Sequence, residues 1–127
     1  MKRTKLVLSM AVLLVIAYVL FGLWIAHDTK LMLEKAMGGT VDYADYMNSS
    51  TYRKINPVER ELTDKNFVYD KKLHQTGFVF PVHFFFVSNT LVTQQYENPD
   101  FGLKEPVRLK LRLISGKWYA TDAFIQP

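Results

Sequence analysis

His83 is the residue in this 127-residue chain best placed to move a proton. It interrupts a run of Phe and Val, and an imidazole held in such surroundings is a potential general base. No carboxylate stands at local spacing to orient it, so a satisfied or half-exposed strand histidine is the simpler reading. Tyr43, Tyr46 and Tyr52 are the other candidates for a polar pocket, with rings in a core and hydroxyls at its rim. Asp45 and Asp122 add carboxylates that a solvated surface explains more simply than catalysis does.

Metal chemistry finds less support. His27, His74 and His83 lack the spacings that put two ligands on one face, and no acidic cluster completes a set. The chain has no cysteine, which excludes disulfides, thiol catalysis and thiolate metal sites. Nothing resembles a nucleophile elbow, a P-loop or a dinucleotide fingerprint. The sequence therefore predicts no catalytic set, no metal and no cofactor.

Charge narrows the partners. The formal net charge is +4, but Lys2, Arg3 and Lys5 supply three of the 16 basic residues. From residue 27 onward 13 basic groups face 12 acidic ones, so bulk charge does not predict nucleic-acid binding. Arg108, Lys110 and Arg112 form one local basic stripe. It could face acidic lipid headgroups or an acidic protein, and a solvated sheet face whose charges deter aggregation is the plainer alternative.

The elements that must position these residues begin with an anchor. Leu6 to Ala26 is a charge-free run of 21 residues, about 32 Å as a helix and long enough to cross a hydrocarbon core. Trp24 falls near its outer end, and the basic tip before it predicts a cytoplasmic N-terminus and an exported C-terminal part. A cleaved signal peptide is the competing reading. It suffers from the length of the run and from Trp24 or Leu20 at the −3 position of the available cuts. The expected organisation is residues 1–28 as tip and anchor, and residues 29–127 as an extracytoplasmic domain.

That domain should open with helices. Lys30 to Met37, as a separate helix or as an extension of the anchor helix, places Leu33, Ala36 and Met37 on one face before a Gly38-Gly39 stop. A second helical stretch runs from Thr40 through Met47 toward Ser50. Asn56-Pro57-Val58-Glu59 opens a short third helix to about Leu62. The period then changes to two. Asn66 to Asp70 reads as a short strand, and Thr76 to Thr93 as a long one whose even positions, Phe78 to Phe86, make an apolar face, with the odd positions Val79 to Val87 nearly as apolar. Pro81 marks a bulge or an edge. After a loop at Asn98 to Gly102, Val107, Leu109, Leu111 and Leu113 alternate with the basic stripe, and Ser115-Gly116 turns the chain into a last strand. Helices first and an antiparallel meander second is the layout of an α+β domain.

Two passages give that layout a family likeness. Asp42 to Lys54, with its repeated aromatics and a Ser-x-x-Tyr-Arg exit, and the hairpin Leu109 to Phe124 around Gly116-Lys117-Trp118, resemble nuclear-transport-factor-2-like (cystatin-like, SnoaL-like) extracytoplasmic domains. The resemblance implies helices packed on a curved antiparallel sheet, with Trp118 inside the cone. It also implies that Tyr43, Tyr46, Tyr52, His83, Asp45 and Asp122 would line any pocket there. Anchored members include VirB8-like components of conjugation and type IV secretion machines, where the domain meets other envelope proteins. The leading expectation is thus a non-enzymatic single-pass assembly domain of the bacterial envelope, bound to other envelope proteins or to itself. The alternative is a small-ligand or enzymatic domain with a pocket near Tyr46 and His83.

Overall fold

A computed structural model of the chain describes residues 2–99 and 101–125. Met1 of the basic tip, Asp100 of the expected loop, and Gln126 and Pro127 at the end of the expected domain lie outside them. The first element, helix α1 (Lys2–Gly38), runs unbroken through residue 28, so the expected helix at Lys30 does continue the apolar one. It is long and apolar enough to cross a membrane. Its two halves differ. Leu6 to Leu14 are exposed, whereas Ile25, Thr29, Met32, Leu33, Ala36 and Met37 are buried. Those six recur at three- and four-residue intervals and form one stripe against the rest of the fold. Gly39 ends the helix with φ +65°, its N–H returning to the Lys35 carbonyl at 3.1 Å.

The connecting segment departs from the expected helices. A 3-10 turn at Val41–Asp45 is followed by a separate helix α2 (Ser49–Ile55). Asn48 divides them, because its side chain accepts the Thr51 N–H at 2.8 Å and so caps a new helix. Asn56 caps in the same way, accepting from Val58 and Glu59, but only a turn forms where a third helix was expected. Leu62 N–H closes on the Pro57 carbonyl, and Glu61 sits at φ +60°, outside the helical region. Asn66 to Asp70 is not a strand either. It crosses the end of the sheet, where Asp70 N–H donates to the Tyr96 hydroxyl at 3.0 Å.

Five antiparallel strands follow: β1 (His74–Thr76), β2 (Phe80–His83), β3 (Val87–Glu97), β4 (Gly102–Ile114) and β5 (Lys117–Ile125). β3, β4 and β5 are neighbours in that order, while β1 and β2 pair with β3. The result is an α+β fold, a long N-terminal helix leading into a small domain with an open antiparallel sheet. β3 buries Ser88, Thr90, Val92, Gln94 and Tyr96, and β4 buries Glu105, Val107, Leu109 and Leu111. The alternation expected for β4 is present, with Arg108, Lys110 and Arg112 on the exposed face.

The long strand expected at Thr76 to Thr93 is instead a hairpin that turns at Phe84–Phe86. Phe85 adopts φ +58° there. Phe78, Phe80, Val82, Phe84 and Phe86 therefore do not face the core. All five are exposed, Phe78 at 83 % and Phe84 at 78 %. The inward positions are Val79 and His83, with Pro81 and Phe85 half-buried. Two nearly equivalent apolar faces left the sequence pattern unable to say which was inner.

Candidate functional site

His83 sits where the β2–β3 hairpin meets helix α1, and both its ring nitrogens are occupied. Nε2–H donates to the Tyr18 carbonyl at 2.8 Å, and Nδ1 accepts the Phe85 N–H at 3.0 Å. The ring stacks on Tyr18 with centroids 3.9 Å apart, and Phe85 meets Tyr18, Phe21 and His83 edge-on. Pro81 packs beside Gly22, where an added Cβ would come within 3.5 Å of its ring. These bonds clamp the hairpin to the helix at Tyr18, ten residues before the boundary read at 28. An imidazole so engaged is a backbone fastener rather than a free base.

The other pocket candidates do not join it. Tyr43 and Tyr52 stack on each other, centroids 3.9 Å apart, beyond the far end of the helix. Tyr46 lies under the ammonium groups of Lys35 and Lys117, at 5.9 and 5.7 Å. Lys35 and Tyr18 are separated by 17 residues of helix, roughly 25 Å, so Tyr46 and His83 serve opposite ends of the molecule. Trp118 is fully buried and meets Trp24 edge-on at 5.8 Å, a core residue rather than a pocket wall. Asp45 is exposed, and Asp122 pairs with Lys54 at 2.6 Å, a bond that holds its carboxyl below the usual range. Among the described residues no group of three or more potential metal-ligating side chains occurs.

No family model matches the chain, and no curated protein or solved structure matches it. Its chemistry has to be read from its own surfaces.

Two arrangements remain that sequence reasoning did not assemble. One is a polar chain through the fold's opposite end. Tyr69 donates its hydroxyl to His74 Nδ1 at 2.6 Å, and His74 Nε2–H donates to Gln94 Oε1 at 3.0 Å. Gln94 in turn donates to Glu105 Oε1 at 3.0 Å, and Arg60 grips both Glu105 oxygens at 2.6 and 2.9 Å. Burial lowers the His74 pKa, partly opposed by its bond to Gln94 and by Glu34, and burial raises that of Tyr69. Both shifts favour the neutral forms that this direction of donation requires. Only the strand register reveals the chain, since Gln94 and Glu105 face each other across β3 and β4.

The other arrangement is on the exposed sheet face. Arg108 lies between Leu91 on β3 and Phe124 on β5, its partners in the two registers. Both apolar neighbours are exposed, and with Pro106 they border a shallow groove. Lys110 and Arg112 continue the stripe toward the Phe hairpin, opposite Asn89 and Val87.

Proposed function

We propose that this chain is a membrane-anchored docking protein of the bacterial envelope. Residues 6–26 hold it in the membrane, and its α+β domain, of nuclear-transport-factor-2-like type, binds another envelope protein from the extracytoplasmic side. The basic residues Lys2, Arg3 and Lys5 ahead of the apolar run support that orientation.

The observation that carries the reading is the row Leu91–Arg108–Phe124. It sets an arginine between two exposed apolar side chains on neighbouring strands of the sheet. Arginine and large aromatics are the residues that dominate binding energy when a partner excludes water from them. The partner would offer an acidic group to Arg108 and an apolar surface to its neighbours. The engagement of His83 by the helix backbone weighs against catalysis at that residue.

The test is photocrosslinking in cells, with a photoreactive amino acid replacing Leu91 or Phe124 in turn. A discrete adduct of higher mass at these positions, lost in Arg108→Glu, is the expected result. An adduct of twice the chain's mass identifies a second copy as the partner. Absence of any adduct, with the full chain running as a monomer in mild detergent, sinks the proposal.

A further inference from the structure

The exposed phenylalanines of the hairpin, Phe78, Phe80, Phe84 and Phe86, adjoin the docking row just described, with Phe80 lying opposite Leu91. They cluster at the corner where the β2–β3 hairpin grips helix α1, and the length of the anchor says what surrounds them. A bilayer's hydrocarbon core is about 30 Å thick and needs about 20 helical residues. The helix is free of the folded body only as far as Ala17, so Leu6 to Ala17 supplies roughly 18 Å. The missing 12 Å or so corresponds to Tyr18 through Ile25. That is the stretch on which His83, Phe85, Pro81 and Trp118 pack.

We infer that the Phe corner is inserted into the outer leaflet of the bilayer that holds the anchor, with the turn Phe84–Phe86 deepest. The inference rests on the anchoring proposed above. It makes the domain a partly sunken body and not one standing clear of the membrane.

Four observations converge on it. First, at the depth of Tyr18 to Ile25 the helix is covered on one side only. Val19, Leu20 and Leu23 are exposed and continue into Phe78 and Phe80 through an apolar groove of about 420 Å³. Lys30 stands at the groove's edge, placed for its stem to lie along apolar surface while its ammonium reaches headgroups. Second, residues 73–96 contain no Asp, Glu, Lys or Arg, a charge-free segment longer than the anchor's own.

Third, the N–H groups of the turn are all bonded, as hydrocarbon demands. The N–H groups of Phe84, Phe85 and Phe86 donate to the Val87 carbonyl, His83 Nδ1 and the Phe84 carbonyl, and Phe86 itself accepts from Leu113. Pro81 removes an N–H from the edge strand. Fourth, Arg112 and Lys110 border a groove shared with Phe84 and Val87. That places positive charge where lipid phosphates would lie once the rings are immersed.

Because the chain has no cysteine, single-cysteine variants of the full chain report exposure directly. Phe84→Cys, Phe78→Cys, Leu13→Cys and Val68→Cys would each be placed in nanodiscs of phosphatidylcholine and phosphatidylglycerol, one chain per disc, and treated with a charged maleimide. Val68 is 80 % exposed and far from the corner in sequence, and serves as the water reference. The expected outcome is labelling of Phe84→Cys at least tenfold slower than of Val68→Cys, approaching the protection of Leu13→Cys, with Phe78→Cys in between. One chain per disc removes self-association as a cause of protection, and Phe84 has no cover of its own in the fold. Labelling of both Phe84→Cys and Phe78→Cys at the Val68→Cys rate, with Leu13→Cys still protected, overturns insertion and leaves the anchor standing. Rapid labelling of Leu13→Cys as well would bring down the anchoring proposal itself.

Discussion

His83 and His74 are both turned inward, both lie on short strands paired with β3, and both hold two hydrogen bonds through their rings. Their surroundings make them different devices. His83 is packed among Tyr18, Phe21 and Phe85 and fastens backbone to backbone, from the hairpin turn to the helix carbonyl. His74 is one member of a side-chain relay that ends on a charged pair. The aromatic corner can therefore lose its histidine and fail locally, whereas the polar end has a charge at stake. A buried charge left without its partner is among the most costly defects a fold can contain.

The largest effect should come from Glu105→Ala. It strands the Arg60 guanidinium and leaves Gln94 without its acceptor, in a site where both ion-pair partners are mostly covered. Breaking a buried pair from one side costs about 3–5 kcal/mol, and the partial exposure of Arg60 puts the expectation at about 2–4 kcal/mol. Thermal melting of the full chain in detergent, followed by near-ultraviolet circular dichroism, should show a drop of 10 °C or so or more. A shift below about 2 °C would mean that water reaches the pair freely and that the relay contributes little.

His83→Ala should cost less, about 1–3 kcal/mol for two hydrogen bonds and a stacked ring. Its signature is spatial. Amide hydrogen exchange should accelerate at Phe85 and along β2 while the amides of β4 and β5 keep their protection. If exchange rises equally across the sheet, the clamp is part of the cooperative core and the two ends are not separable. Gly39→Ala should cost about 1 kcal/mol, since the residue adopts φ +65° and its new Cβ would lie 3.2 Å from the Tyr52 hydroxyl. Equal melting temperatures for this variant and the parent would show that the helix end adjusts without strain.

The sequence made one end of this molecule legible and hid the other. The apolar helix, the buried stripe at Leu33, Ala36 and Met37, and the alternation of β4 all follow from periodicity and emerge in the fold. The hairpin did not, because Phe and Val fill both phases of residues 78–87 and only the turn at Phe85 decides which side faces inward. Among candidate residues, His83 is buried and hydrogen-bonded and Trp118 is buried, but nothing in the spacing revealed what they touch. Tyr18 precedes His83 by 65 residues. The relay was invisible for the same reason: Arg60 and Glu105 are 45 residues apart, and only the pairing of β3 with β4 brings Gln94 between them.

The smallest effect reads His74 by pH. Burial depresses the His74 pKa below its ordinary 6.5, against the pull of Gln94 and Glu34. At neutral pH the folded and unfolded chains both hold His74 neutral, and its contribution to stability is fully present. As the pH falls below 6.5, the unfolded chain takes up a proton that the folded chain refuses. Stability should then decline until the folded-state value is passed, where the loss is complete. Protonation also breaks the relay's logic, because Nδ1 can no longer accept from Tyr69. The melting temperature of the parent should fall between pH 7 and pH 5, and the fall should be shallower in His74→Gln, which retains a donor toward Gln94 but carries no titrating group. An identical slope in both proteins would assign the acid sensitivity to carboxylates such as Asp122, whose pKa is lowered by Lys54 and whose stabilising pair is lost as the pH falls toward that value. The relay would then be structural at every pH the protein meets.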